Sequence, residues 1–265
     1  GASAYLMSGY ITDVAGSNLP FLAAAAYIPF IFAFYYHLVT THFSNYALKT
    51  GIFLTLLFVS GYPSFFICTG YVLITAFVLV LIKKKIKGAN PDFQKLIRAQ
   101  ILMALVFLAL SAPAIISYWQ ILPYYHRGNG VSVSAALENS FHPFCSLSFL
   151  LSSATVKDPT TATTDLISKN GYFNSFLVIF MLCYRWAKKT WFRNFVLSGI
   201  IFFFLFSLGK YTPIRKWCYE LLPLMNTFRH PSNGRLFVIL GGIVIGISIY
   251  QDFISGFLPV KYPRI

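Results

Sequence analysis

The sequence predicts an all-α, polytopic transmembrane helix bundle of about seven spans with a long outer loop. Of the 265 residues, 57% are hydrophobic and only 11% are charged, and the mean hydropathy is +0.67. Soluble domains carry about 25% charged residues, so a soluble fold could not bury this much apolar surface. The bilayer is therefore the expected solvent. Each span should be helical, because lipid offers no partner to an unpaired backbone group.

The predicted spans form one integral-membrane domain, residues 1–265. Four spans fall within 20–120 and three within 171–250, on either side of an outer loop at 121–170. The predicted spans are 20–38, 48–61, 64–83, 99–120, 171–186, 192–209 and 233–250.

The stretch 48–83 is too long for one crossing, because as a single helix it would rise about 54 Å. Pro63 in "SGYPS" cannot donate to the helix ladder. We therefore expect a break there and a hairpin of two shorter helices. One kinked helix with a cytoplasmic extension is the less favoured alternative.

The net charge of +14 would indicate nucleic acid in a soluble protein. Here we expect it to orient the helices and meet anionic lipid headgroups, and no nucleic-acid-binding motif accompanies it. The segment 83–98 has six Lys or Arg against one acid, and 185–193 has four against none. The positive-inside rule places both in the cytoplasm. Alternation then places 1–19, 121–170 and 210–232 outside.

Cofactor and metal signatures are absent from the sequence, which contains no HExxH, Walker loop, GxGxxG or GxSxG motif. No cofactor is identified, and a divalent metal is possible but has no support in this chain. None of the four cysteines forms a CxxC pair. Cys145 and Cys218 fall on the same predicted outer side, so a disulfide between them is an open possibility.

The most specific feature is "FRHPSNGR" (228–235), directly before the last apolar stretch. Arginine binds phosphate oxygens through a bidentate fork, and a helix N-terminus attracts anions. The prediction is a phosphate receptor at headgroup depth made by Arg229 and Arg235, with the following helix starting near Gly234. Ser232 or Asn233 is expected to cap that helix. His230 either donates to the same anion or only packs.

Five cations between 210 and 235 face one acid, Glu220, on the predicted outer side. Positive charge is disfavoured in short external loops, so something should hold it there. One interpretation is that three of them contact lipid phosphates: Lys210, Arg215 and Lys216. Alternatively, Lys210 belongs to the phosphate receptor.

A set of ordered stretches resembles the C-terminal region of the bacterial YfhO family of membrane proteins. The main one is "LGKYTPIRKW…LLPLMNTFRHPSNGRLFVILGGIVI" (208–245). The others are "AAYIPFIFAFYYHL" (25–38), "GYPSFFI" (61–67), "SFLLSSATVK" (148–157) and "TDLISKNGYFN" (164–174). The family motif spaces its arginines more tightly than "RHPSNGR", which leaves open whether Arg235 fills the second arginine position.

The resemblance implies a C-superfamily glycosyltransferase-like protein in the bacterial inner membrane. Such proteins take sugar from a polyprenyl-phosphate donor at the outer face and pass it to a cell-envelope glycan or glycolipid. Arg229, and Arg235 where it matches, would then bind the donor phosphate. The expected site lies between the outer loop 121–170 and the segment 210–235.

The resemblance also implies a catalytic acid in a first outer loop, which we expect upstream of this chain. The chain opens in "GASAYLMSGY", without an initiating Met, so we expect a portion of a longer protein. Asp13 is a weak catalytic candidate, and it, Glu138 and Asp165 are more simply loop or helix-end carboxylates. A transporter or flippase for a lipid-linked glycan is the alternative function, and an envelope protein with an interaction role only is the third.

Overall fold

The structure is a computed structural model that describes residues 1–41, 44–86, 91–124, 130–155 and 168–256. This part of the chain is helical and contains no strand, which confirms the all-α prediction. The α-helices are α1 Ala2–Leu6, α2 Gly9–Ala15, α3 Leu19–Thr41, α4 Ser44–Val59, α5 Pro63–Ile86, α6 Pro91–Ile121, α7 Val133–Ala136, α8 Ser175–Leu182, α9 Trp191–Ser207, α10 Ile214–Leu221 and α11 Arg235–Ile254. Short 3₁₀ helices occupy Leu122–Tyr124, Pro143–Phe149, Cys183–Trp186, Gly209–Tyr211 and Pro231–Gly234.

The chain divides into two compact units. Unit 1 comprises Gly1–Ser17, Ser132–Pro223 and Arg229–Ile265, and unit 2 comprises Asn18–Val131 and Leu224–Phe228. The candidate site lies entirely in unit 1.

Unit 2 holds the helices α3 to α6, with α4 packed against both α3 and α6. The Tyr35 hydroxyl donates to the Leu73 carbonyl at 3.0 Å and so ties α3 to α5. The predicted break is confirmed: α4 ends at Val59 and α5 begins at Pro63. Gly61 between them has a φ of 93°, a conformation that glycine adopts without steric cost.

Four helices are long and apolar enough to cross a membrane: Leu19–Thr41, Pro63–Lys83, Phe93–Tyr124 and Pro231–Ile254. They coincide with four of the seven predicted spans. The other three predicted spans contain shorter apolar helices, at Ser44–Val59, Ser175–Arg185 and Trp191–Ser207. At 1.5 Å per residue, a 16-residue helix rises only about 24 Å against a core of about 30 Å. Their crossing therefore stays a prediction.

The core of unit 1 is α11 packed between α8 and α9. Gly234 lies against Phe203 near the end of α9, while Ser248 lies against Arg193 near its start, so α9 and α11 are antiparallel. Gly246 lies against Leu177, and the Tyr250 ring lies 5.3 Å from the Phe180 ring. The helices α8 and α11 therefore run parallel. The arrangement puts residues 229–235 at one end of α11 and residues 185–193 at the other.

The motif "GGIVIG" (241–246) allows the close helix packing that its small residues predict. A Cβ atom added at Gly246 would lie 2.6 Å from the Leu177 carbonyl oxygen, and one added at Gly241 would lie 2.6 Å from Ile200 Cγ1. The backbones of α8 and α11 thus approach too closely for a larger residue at position 246.

Replacing Gly246 with alanine is expected to destabilise the protein by about 1–3 kcal/mol, the usual cost of overpacking. The backbone carbonyl of Leu177 cannot move away without shifting α8. Gly199 on α9 is the matched control, because a Cβ there meets nothing within 4 Å. Gly199→Ala should stabilise the helix by up to about 1 kcal/mol. Unfolding in mixed micelles measures both variants, and changes of the same sign would contradict this packing.

The described part of the predicted outer loop, residues 121–124, 130–155 and 168–170, is folded rather than extended. It contains α7 and the 3₁₀ helix Pro143–Phe149, in which Cys145 and Ser148 are buried while Phe144 and Leu147 are exposed. All four cysteines are free, so the disulfide between Cys145 and Cys218 does not form. Cys145 and Cys218 are each buried among their own neighbours. Cys145 packs with Phe141 and Leu208, and burial raises the pKa of the Cys218 thiol.

Candidate functional site

The site is organised around Arg235, the first residue of α11, whose side chain has no exposed surface. Its Nε donates to the Ser232 carbonyl at 2.9 Å and its Nη1 donates to the Asn170 carbonyl at 2.5 Å. The guanidinium carbon lies 5.6 Å from the Tyr10 ring centre and 5.3 Å from the Phe141 ring centre. These are cation–π distances. One buried cation therefore joins four distant segments of unit 1.

Asp13 supplies the negative charge beside Arg235. Burial raises the pKa of Asp13 to about 6, against opposing effects of the Arg235 charge and a backbone hydrogen bond from Asn170. Asn170 thus bonds both groups, giving its carbonyl to Arg235 and its N–H to Asp13. The Oδ2 atom of Asp13 is buried without a hydrogen-bond partner among the described residues. That orphan oxygen explains why burial outweighs the attraction of the arginine.

Replacing Asp13 with asparagine should change how stability depends on pH. The folded chain holds the Asp13 proton up to about pH 6, whereas an unfolded carboxyl releases it near pH 4. The stabilisation that protonation gives is therefore complete below about pH 4 and is lost as pH rises through 6. Asp13→Asn should be more stable than wild type at pH 7.5 and equal to it near pH 4. Thermal unfolding of both proteins across this range is the measurement, and a pH-independent difference would contradict the assignment.

Residues 138–141, the ENSF segment, contact the arginine turn, which we define as residues 229–235. Arg229 Nη1 donates to Glu138 Oε2 at 3.1 Å, and the Asn139 side-chain amide donates to His230 Nδ1 at 2.7 Å. Arg229 and Glu138 remain 31% and 53% exposed. This pair of contacts presents Arg229 and His230 at the surface while Arg235 lies beneath them.

The backbone at this contact is strained on both sides. His230 has a φ of 64° and Asn139 has a φ of 54°, in the left-handed region that non-glycine residues seldom occupy. Such conformations cost on the order of 1–3 kcal/mol each and are concentrated at functional sites. The two residues hold each other's side chains, so the strain fixes the orientation of the imidazole. With Nδ1 as acceptor, a neutral ring carries its proton on Nε2.

Lys210 belongs to the same surface through Ser140. Its backbone N–H donates to Ser140 Oγ at 2.9 Å, and Ser140 Oγ donates to the Leu137 carbonyl. The exposed ammonium of Lys210 lies 5.3 Å from the Tyr211 ring centre. Gly209, with a φ of 51°, is required because a Cβ there would collide with the Ser140 hydroxyl.

The structure corrects the expectation for Ser232 and Asn233. The helix begins at Arg235 as predicted to within one residue, but no side chain caps it. The 3₁₀ turn Pro231–Gly234 runs directly into α11, and the Ser232 hydroxyl instead donates to Ser168 Oγ at 3.0 Å. Ser232 is fully buried, so it fastens the turn to the segment beside Asn170.

Four of the five cations between 210 and 235 are held either by burial or by a nearby acid. Arg215 is fully buried, with its guanidinium 5.3 Å from the Phe206 ring centre, and Arg235 is buried as described. Lys216 pairs with Glu220 at 3.8 Å, and Arg229 pairs with Glu138. Burial and nearby acids therefore explain most of the positive charge that the sequence predicts to lie outside, and among these five cations only Arg229, Lys210 and Lys216 offer it at the surface.

Sequence reasoning found Arg229, His230, Ser232, Arg235 and Lys210, and the structure brings all five to one end of unit 1. It also brings Asp13 beside Arg235. The sequence analysis missed the ENSF segment, which carries no local motif, and it also missed Asn170. Among the other acids, Asp165 lies outside the described residues. Within the described ranges, no group of three His, Cys, Asp or Glu side chains could hold a metal ion.

These observations define a class: an all-helical protein with four helices long and apolar enough to cross a membrane, and a basic turn organised at the start of the last one. Comparison with known proteins adds nothing to this class, since no family model, no curated protein and no solved structure matches the chain.

Proposed function

We propose that this chain is part of a membrane glycosyltransferase that uses a polyprenyl-phosphate sugar donor to modify cell-envelope glycans or glycolipids at the outer face of a bacterial inner membrane. All seven predicted spans cross the membrane in this proposal. The observation that carries it is the part-exposed pair Arg229 and His230, fixed by the ENSF segment at the start of a membrane-length helix.

The geometry of unit 1 supports the proposed sidedness. Residues 185–193 hold four cations and no acid, which the positive-inside rule assigns to the cytoplasm. They contact the last turns of α11, whereas Arg229 and His230 lie before its first turn. Because α11 is long enough to span the bilayer, the proposal puts the arginine turn outside, at the depth of the lipid phosphates.

The chemistry assigned to Arg229 is capture of the donor phosphate. The donor phosphate is a diester with one negative charge and two free oxygens, so it accepts a bidentate fork as the Glu138 carboxylate does and can replace or share that half-exposed partner. His230 donates from Nε2 to a second oxygen, and Lys210 adds positive charge nearby. As the sugar leaves, charge develops on the phosphate, and these donors stabilise it.

Arg235 has a different part in the proposal. It is fully buried, so it is a positioning residue that acts through the turn it holds. Its bonds to the Ser232 and Asn170 carbonyls fix the backbone that presents Arg229. Asp13 beside it neutralises its charge, and the catalytic acid is assigned to a part of the protein outside this chain.

Replacing Arg229 with alanine in the full-length protein should lower sugar transfer from a polyprenyl-phosphate donor on the order of 100-fold or more, the usual loss when one oxyanion donor is removed. Membrane insertion and thermal stability should stay unchanged, because Arg229 is part-exposed. The assay follows radiolabelled sugar from donor to glycan. Lys216→Ala, which removes another exposed cation of the outer segment, is the control and should transfer sugar normally.

The transporter or flippase remains the alternative, and the same preparation separates it. A flippase moves a labelled glycolipid across the bilayer of a proteoliposome without forming a new glycosidic bond. Unchanged sugar transfer by Arg229→Ala would remove this residue from the mechanism. If the wild-type protein moves the labelled glycolipid across the bilayer and forms no glycosidic bond, the flippase function is correct and the glycosyltransferase function is wrong.

A further inference from the structure

The opposite end of unit 1 carries a second cluster of cations, on the turn at residues 185–189, which we call the basic turn. Arg185, Lys188 and Lys189 are all exposed, and no ion pair in the described part of the chain involves them. The carboxylate that the structure places at this turn, Asp252, already pairs with Arg193 at 2.5 Å. Four cations at this end of unit 1 thus face one carboxylate, Asp252, within the described ranges: Arg185, Lys188, Lys189 and Arg193. The basic turn therefore keeps an excess of positive charge.

The basic turn is fixed rather than loose. Arg193 Nη1 donates to the Lys188 carbonyl at 2.8 Å, and the Lys188 N–H bonds the Asp252 carboxylate. On the other side, the Ala187 N–H donates to the Tyr184 carbonyl at 3.2 Å, and Ala187 is buried. The backbone that carries the three cations is thus held on both sides, so little ordering entropy is lost when a ligand binds.

An apolar surface descends from the basic turn along α8. Phe176, Ile179 and Leu182 are 49%, 55% and 69% exposed, and their spacing of three residues places them on one helical face. Leu182 is the last residue of α8, directly before the 3₁₀ helix Cys183–Trp186 that leads into the turn. Cations at the end of an apolar face match an amphiphile, with acidic headgroup above and acyl chain below.

We propose that the basic turn and the exposed face of α8 form a binding site for an anionic phospholipid of the cytoplasmic leaflet. The lipid phosphate lies against Arg185, Lys188 and Lys189, and an acyl chain lies along Phe176, Ile179 and Leu182. A soluble phosphate would use only the cations and leave the apolar face in contact with other lipids. The site is separate from the arginine turn, so it does not depend on the proposed transfer reaction.

The test uses the purified chain in a neutral detergent, with lipid retention followed by native mass spectrometry. Phosphatidylglycerol should be retained, and phosphatidylcholine at equal concentration should not. The triple variant Arg185→Gln, Lys188→Gln, Lys189→Gln should weaken phosphatidylglycerol binding on the order of 100-fold, since each cation near an anionic surface strengthens binding several-fold. Lys216→Gln removes an exposed cation from the other end and should leave retention unchanged.

Two further measurements identify the ligand. Glycerol 3-phosphate, a headgroup without acyl chains, should fail to displace the lipid at millimolar concentration. Ile179→Ser with Leu182→Ser should weaken lipid binding while the three cations remain. Equal retention by the triple variant, equal retention of phosphatidylcholine, or full displacement by glycerol 3-phosphate would each overturn the proposal. The Gln variants change only exposed side chains, and a circular-dichroism spectrum of each variant is the check that it is folded.

Discussion

Replacing Arg235 with methionine is expected to lower the free energy of unfolding by about 2–6 kcal/mol, because two buried carbonyls lose their donor at about 1–3 kcal/mol each. Methionine fills a similar volume but donates no hydrogen bond, so the carbonyls of Ser232 and Asn170 would stay unpaired. The pKa of Asp13 would rise further, because the arginine charge that opposes the effect of burial would be gone. Unfolding of the purified protein in mixed micelles measures the loss.

The matched control is Arg229→Met, six residues earlier in the same turn. Arg229 is part-exposed and pairs with an exposed glutamate, and such surface pairs contribute about 0–1 kcal/mol. Its replacement should therefore cost little stability while removing the proposed phosphate contact. Stability losses of similar size at the two arginines would contradict the division into one buried positioning residue and one exposed ligand.

The apolar helices and the helix break at Pro63 were predictable from the sequence because they depend on local properties. Apolar composition locates each helical stretch, and Pro63, which cannot donate to the helix ladder, is the first residue of α5. Whether a helix is long enough to cross the membrane depends less on local sequence. The predicted span 171–186 becomes an α-helix only from Ser175 to Leu182, because Asn174 has a φ of 93° and caps it.

The arginine turn was also found from its local pattern, but the roles of its two arginines were not. Arg229 and Arg235 are the same residue type in one short motif. Their difference comes from residues far away in the sequence: Glu138 for Arg229, and Asp13 with Asn170 for Arg235. No spacing rule connects positions more than sixty residues apart. The sequence analysis therefore gave Glu138 only the role of a loop or helix-end carboxylate.

Buried arginines of the 210–235 segment also affect how its charge predicts membrane topology. The topology rule treats every Lys and Arg in a loop as a solvated charge. Arg215 and Arg235 are instead fully buried against aromatic rings, where they stabilise the fold and contribute nothing to the surface field. An arginine buried in this way breaks the composition signal without changing the side of the membrane on which its loop lies.

Replacing Arg193 with alanine is the second substitution with a large expected effect, about 3–5 kcal/mol. Its guanidinium is almost fully used: Nε and Nη2 donate to Ser248, and Nη1 donates to Asp252 and to the Lys188 carbonyl. The pair is mostly buried, with 9% and 18% of the two side chains exposed. Alanine would leave the Asp252 carboxylate uncompensated at the point where α9 and α11 meet.

Arg193→Lys tests whether geometry or charge is responsible. Lysine keeps the positive charge but has three donors on one atom, so it cannot reach Ser248, Asp252 and the Lys188 carbonyl together. We expect an intermediate loss of stability. The exposed neighbour Lys189 provides the control for removing a charge from the same end, and Lys189→Ala should change stability by less than about 0.5 kcal/mol.

A double-mutant cycle with Asp252→Ala isolates the pair itself. If each single variant is costly mainly because it leaves the other charge alone, the double variant should be less destabilised than the sum, by a coupling energy of about 1–3 kcal/mol. Simple additivity would mean that the contacts to Ser248 and to the Lys188 carbonyl hold the two helices together. The ion pair would then only accompany those contacts, because removing Asp252 would cost the same with or without the arginine.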